Sequence, residues 1–227
     1  MCVRRLKFFH CLKKMTQQIN ECNFKNWIIG PAQKNNHGGQ FWAITAENNK
    51  NHPRIQLCST TETLRIPFGP TSFTEGGRKN LDYSINNEHE SLKDLFTEID
   101  DWVFNYVWKN VADFFKKPPA TKEALLDCYV PLLSWKNDFD PLLKTKVNDS
   151  ALVFVLATDG ASKKGSLEDI SKGSSGCPII QLDKIWVMGG NRFGVTAVTQ
   201  ALMLHPRKDR EMEDIFKGAF INLSNKM

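Results

Sequence analysis

Between Pro178 and Leu204, two apolar-rich runs, PIIQLDKIWVM and FGVTAVTQALML, stand on either side of Gly189, Gly190 and Asn191. Long runs of this kind, rich in β-branched and aromatic residues and joined by turn residues, predict a pair of antiparallel strands, although the second run also fits a helix. A hairpin is not stable by itself in water, so the rest of the chain must cover it. Upstream, short strands are expected at Phe41 to Ile44 and Arg54 to Cys58, separated by a polar turn over 47–53. The segment from Leu64 to Phe73 carries Pro67 and Pro70, which prevent its whole length from being a central strand. Gly76 and Gly77 mark a turn, Leu81 to Ile85 alternates as a half-buried strand does, and Leu143 to Val147 and Ala151 to Ala157 read as two further strands.

The clearest helix is expected after Ser91, read as its N-cap. Leu92, Leu95, Phe96, Ile99, Val103, Tyr106, Val107 and Phe114 recur at helical spacing until Pro118 and Pro119 end the run. Acidic residues gather toward its start and Lys109, Lys116 and Lys117 toward its end, as the helix dipole favours. Asp100 and Asp101 read as surface charge of this kind rather than a metal site. A shorter helix capped by Thr121 runs to Cys128. The fold class is therefore mainly β with inserted helices, an α+β domain in which a small sheet carries helices at one end.

Composition narrows the function classes. Hydrophobic residues at 41% and charged residues at 24% are ordinary for a globular chain, so neither disorder nor a coiled coil is indicated. Apolar runs such as Ala151 to Ala157 are far shorter than a membrane span, and no part is expected to cross a bilayer. The net charge of +5 permits a polyanionic partner without requiring one. Cys2, Cys11, Cys22, Cys58, Cys128 and Cys177 form no C-x-x-C pair and lack histidines at zinc-ligand spacing, so they read as reduced thiols of an intracellular protein. Residues 1–25 form a basic extension: its first twenty residues hold five Lys or Arg and no acid, consistent with a transit-like peptide, a nucleic-acid-binding arm or a loosely attached segment.

Two incompatible chemistries meet in GSSGCP, Gly173 to Pro178. It fits the G-x-S-G-x-P surroundings of a trypsin-like nucleophile, which would make Ser175 catalytic. Such a serine needs a histidine base and an orienting carboxylate. None of His10, His37, His52 and His89 sits in the sequence context those enzymes use, so the pattern reads better as a turn. Cys177, before Pro178 at the start of an apolar strand, reads as a buried, inert thiol. No phosphate loop, H-E-x-x-H or dinucleotide fingerprint is present, and no cofactor is expected. By contrast, aromatics adjoin basic residues at Phe68 and Phe73 before Arg78 and Lys79, at Trp135 and Lys136, and at Arg192 and Phe193. Aromatic faces beside a positive groove are what a single-strand binder needs. Trp102 and Tyr106, at helical period, are expected in the core.

The segments Ile66 to Gly69 (IPFG), Gly76 to Ile85 (GGRKNLDYSI), Tyr129 to Leu133 (YVPLL), Gly165 to Gly173 (GSLEDISKG), Ile185-Trp186 and Arg192 to Gly194 (RFG) carry a family resemblance. Together they resemble an uncharacterised family of large DNA viruses of algae and protists and of dinoflagellates, whose members are similar in turn to OB-fold single-stranded DNA-binding proteins of viruses and phages. The resemblance runs from about Asn26 to Pro206. It implies an OB-fold-like five-stranded barrel with the helices inserted between its strands, and it places Ser174 to Gly176 in a variable turn. Residues 1–25 match nothing in the pattern, Val187 and Met188 follow Trp186 where an aromatic is usual, and the C-terminal helix or tail over 207–227 lacks the acidic end of many single-strand binders.

The expectation is a non-enzymatic protein that binds single-stranded DNA, with RNA also allowed, during replication, recombination or repair; the alternatives are a trypsin-like protease using Ser175 and a degenerate OB-fold interaction module. The single-strand binder would work in the nucleus or a viral replication compartment, with homo-oligomers allowed. Arg78, Lys79, Lys136, Lys144, Lys146, Lys163, Lys164 and Arg192 are the phosphate-contact candidates, and Trp42, Phe73, Trp135 and Phe193 the stacking candidates. Within the 159–206 stretch, Trp186 joins Lys163, Lys164, Arg192 and Phe193 as the residues of most interest.

Overall fold

The computed structural model describes residues 17–18, 22–35, 38–46, 51–57, 62–72, 79–136, 138–157, 159–189 and 192–205. Phe73 and Arg78, most of the expected N-terminal extension and all of the expected C-terminal tail lie outside the described residues. The first strands are β1 (Gln17–Gln18), β2 (Ile28–Lys34), β3 (Gln40–Thr45), β4 (Arg54–Gln56), β5 (Leu64–Arg65) and β6 (Lys79–Ser84). Helices α1 (Glu90–Lys109), α2 (Val111–Phe114) and α3 (Lys122–Leu126) follow. The chain then returns to strand in β7 (Tyr129–Val130), β8 (Leu133–Lys136), β9 (Phe139–Leu156), β10 (Ser162–Gly165), β11 (Ser175–Val187) and β12 (Phe193–Leu204).

The pair that dominates the sequence dominates the sheet. β11 and β12 run antiparallel from Val187 opposite Phe193 to Gly176 opposite Leu204, so the last apolar run is strand and not helix. Five strands close on themselves: β5 pairs β6, β6 pairs β9, β9 pairs β12, β12 pairs β11, and β11 returns to β5. Numbered by chain order within this ring, the circuit is first, second, third, fifth, fourth, first. The third and fifth members, β9 and β12, are parallel, and the other pairings are antiparallel. β2 and β3 form an antiparallel pair that extends the sheet beyond β11.

β9 joins what the sequence reads as two strands. Val147 pairs with Thr199 and Leu152 with Ala201, so the intervening residues of β9 bulge out of register. The polar Asn148, Asp149 and Ser150 stay exposed there while both flanking segments remain paired. Inside the ring, Leu81, Tyr83, Leu143, Ile185 and Phe193 are buried. A short polar chain stitches three strands through that core: Tyr83 Oη lies 3.0 Å from Thr199 Oγ1, which lies 2.7 Å from Thr145 Oγ1, which donates to the Leu81 carbonyl at 2.6 Å. Every hydroxyl of the chain is thereby satisfied away from water.

The helices cover one end of the sheet. α1 buries Leu92, Leu95, Phe96, Ile99, Val103, Phe104 and Val107, and Trp102 and Tyr106 pack against the core as their spacing predicts. Ser91 is not its cap: the helix already includes Glu90, and Asn86 caps a preceding short turn by accepting from the Glu88 amide at 3.0 Å. Thr121 does cap α3, accepting from the Ala124 amide at 3.2 Å. Asp101 is exposed as expected, whereas Asp100 is turned inward against the segment that follows α3. Among the described residues no helix is long and apolar enough to cross a membrane.

Candidate nucleic-acid interface

Strand alternation builds the most basic surface. Along β9, Leu143, Thr145 and Val147 point into the ring, which forces Lys144 and Lys146 outward. Asn80 and Asp82 of β6 lie opposite Lys146 and Lys144. Burial pushes the Asp82 carboxyl up, and the Lys144 ammonium pulls it back. On β11, Ile185 and Val187 are buried, so Lys184 and Trp186 face the other way, with Phe41 of β3 opposite Trp186. The Lys184 ammonium sits 4.6 Å from the centre of the Phe41 ring and 3.3 Å from a carboxylate oxygen of Asp183, whose other oxygen is 3.5 Å from His52.

The outward lysines, Phe41 and Trp186 meet in one open groove of about 900 Å³. Lys34, Lys144, Lys146 and Lys184 line it together with Phe41 and Trp186, and no carboxylate is among the described residues that do so. Its wall is Val130, Pro131 and Leu132, and Met188 lies at the β11–β12 end. Gly194 lets floor and wall meet: a Cβ there would lie 2.6 Å from the Val130 carbonyl and 3.0 Å from the Trp186 ring.

Of the residues singled out from sequence, Lys144 and Lys146 are in the groove, with Trp186. Arg192 is exposed at the start of β12, its carbonyl accepting from the Met188 amide at 2.9 Å. Lys79 is held 3.0 Å from Asp149. Trp135, 62% exposed, and Lys136 are on β8, outside the groove lining. Lys163 and Lys164 are exposed on β10, where Lys163 pairs with Val155. Val155 lies opposite Leu204 and Lys146 opposite Val198, so this end of β10 is six β12 residues, about 20 Å, from Lys146.

Two stacking candidates are corrected. Trp42 is 4% exposed and stacks on Phe114 with ring centres 4.1 Å apart, because its register partner is the inward Ile185. Phe193 is fully buried among Phe104, Phe115 and Tyr129. Neither ring can receive a base. The residues missed from sequence are Lys34, Phe41 and Lys184. Lys184 was within reach, since it alternates with Ile185, whereas Phe41 and Trp42 are separated by one position and only register tells which faces out.

Among the described residues the serine pattern acquires no machinery. Ser175 opens β11 opposite Arg65, and its described contact with a histidine is between backbones, His205 amide to Ser175 carbonyl at 3.0 Å. The buried His205 Nε2 has no hydrogen-bond partner among the described residues. Cys177 is buried, as expected for an inert thiol, and burial pushes the Cys22 thiol up to about 11. Among the described residues no group of three His, Cys, Asp or Glu side chains is placed to hold a metal ion.

No family model matches the chain. No curated protein matches it either. Among solved structures, the chain is similar to the single-stranded DNA-binding protein from bacteriophage Enc34 in complex with ssDNA, at 12% identity and a TM-score of 0.42, covering 81% of this chain and 97% of that one. It is likewise similar to a second structure of the single-stranded DNA-binding protein from bacteriophage Enc34, at 11% identity and a TM-score of 0.41, covering 81% of this chain and 95% of that one. A C-terminal truncation of the phage protein aligns at 10% identity and a TM-score of 0.42, over 80% of this chain and 96% of that one. The structural neighbours are thus phage single-stranded DNA-binding proteins of low sequence identity.

Proposed function

We propose that this chain is a non-enzymatic, sequence-tolerant single-stranded DNA-binding protein. The groove carries the proposal: Lys34, Lys144, Lys146 and Lys184 surround Phe41 and Trp186, with no carboxylate among the described lining residues. Lysines along such a groove neutralise successive phosphates and release their counterions, while aromatic faces take bases without regard to identity. The strand circuit supports the same conclusion. In an OB fold, oligonucleotides bind on the face of the second and third strands, between the loops joining strands one to two and four to five. Here those strands are β6 and β9, which supply Asn80, Lys144 and Lys146, and Met188 begins the segment from the fourth strand to the fifth. The family resemblance in the sequence points the same way.

Binding of this kind suits replication, recombination or repair, in the nucleus or a viral replication compartment. Titration of fluorescently labelled oligothymidine tests it. Polarisation should rise at low salt, and the affinity should fall steadily as salt increases. No polarisation change, or affinity indifferent to salt, refutes it.

A further inference from the structure

Asp100 is a partly buried carboxylate that the groove chemistry does not use. It projects from the middle of α1 and accepts from the Tyr129 hydroxyl and from the Leu132 amide, the latter at 3.0 and 3.2 Å to its two oxygens. Both partners belong to the segment that forms the groove wall, where Val130, Pro131 and Leu132 are lining residues. The wall is also joined to the floor by a short parallel pairing, Tyr129 with Phe193 and Val130 with Gly194, and just beyond it Leu133 pairs with Leu143 of β9. Val130 in turn abuts Gly194, and Gly194 lies opposite Trp186. A continuous set of contacts therefore runs from Asp100, through the wall, to the aromatic floor.

We propose that Asp100 is the positioning residue of the groove wall: by holding the Tyr129–Leu132 segment to α1, it keeps the wall seated against Gly194 beside Trp186 and so sets the shape of the groove in which Trp186 meets a base. This rests on the assignment of the groove to single-stranded DNA. It also gives the helical insertion a role in binding, although α1 contributes no lining residue. Burial pushes Asp100 up to about 6, against the opposing hydrogen bonds from Tyr129 and Leu132 and with the neighbouring Asp101 adding to the rise. A group shifted in that direction weakens the fold wherever it is ionised. What Asp100 supplies is an acceptor for two donors of one segment, since its Oδ1 alone takes both the Tyr129 hydroxyl and the Leu132 amide. Tyr129 remains a donor because burial, reinforced by the Asp100 charge, raises its hydroxyl well above the usual range.

The test uses the full chain and a labelled oligothymidine of about 20 nucleotides, longer than the roughly 4 to 16 that one OB fold covers. Asp100→Ala should weaken binding by about tenfold, while the slope of log affinity against log salt stays that of the parent because no lysine is removed. Asp100→Asn, whose amide oxygen still accepts from the wall, should recover most of the loss. A folded Asp100→Ala that binds like the parent overturns the proposal, and so does an equal loss in Asp100→Asn. Should Asp100→Ala fail to fold, Tyr129→Phe keeps the ring and removes only the hydroxyl. Binding weakened by about threefold then supports the role, as expected for one lost hydrogen bond, and unchanged binding overturns it. A parent protein that does not bind oligothymidine at all refutes the assignment of the groove, which separates that failure from this one.

Discussion

Lys144 and Lys146 owe their position to being out of phase with Leu143, Thr145 and Val147, and Trp186 to being out of phase with Ile185 and Val187. Period-two alternation is a property of the sequence, so these placements were legible in it. Trp42 was not, because Phe41 and Trp42 both suit a strand and only the pairing of Trp42 with Ile185 turns the tryptophan inward. The two tryptophans should therefore respond oppositely. Trp186→Ala should lower oligothymidine affinity by about 1–3 kcal/mol with little loss of stability, whereas Trp42→Ala should cost about 3–5 kcal/mol of folding free energy; fluorescence titration and urea denaturation separate the two. Lys144→Ala should instead make the salt dependence shallower by roughly 0.7 in the log–log slope, the signature of one lost phosphate contact to a single strand.

At the scale of elements, β9 shows how tertiary pairing overrides a local turn signal. Asn148, Asp149 and Ser150 read as a break, yet the register shift opposite Thr199 and Ala201 absorbs them as a bulge and keeps the strand continuous on both sides. The helix boundary differs for a local reason: Asn86 captures the Glu88 amide, so the chain is already turning before Ser91 is reached. β12 carries the tightest constraint on the groove, since Gly194 admits the Val130 carbonyl where a methyl group would be 2.6 Å away. Gly194→Ala should therefore push β7 from β12 at a cost of about 1–3 kcal/mol, the usual range for overpacking. It should also weaken oligothymidine binding as the wall separates from Trp186. Thermal melting and polarisation together check this, and unchanged values in both would contradict the close approach.

For the molecule as a whole, the fold gathers Lys34, Lys144, Lys146 and Lys184 in one groove with no carboxylate among its described lining residues, so a modest net charge of +5 becomes a local concentration of lysines. Stability should carry the mark of Asp100. Its carboxyl titrates near 6 in the folded chain against a usual value of 3.8, so the folded state holds the proton more tightly than the unfolded state. Stability should therefore rise as pH falls from above 6 toward about 4, and Asp100→Asn should flatten that part of the urea-midpoint profile. A parent profile that already falls on acidification from 7 to 5 would show that other carboxylates dominate. The sequence by itself determined β11, the long helix with its apolar face, the capping of α3 and the outward phase of Lys144 and Lys146, because each depends on periodicity or on neighbours a few residues away, whereas the last apolar run, open to helix or strand in sequence, became β12 only through its pairing. Only the tertiary structure decided that five strands close into a ring, that Trp42 and Phe193 are buried, that Phe41, Lys34 and Lys184 join the β9 lysines, and that Asp100 turns inward to hold the wall. Those outcomes depend on register and on contacts between segments far apart in the chain, for which a local pattern carries no signal.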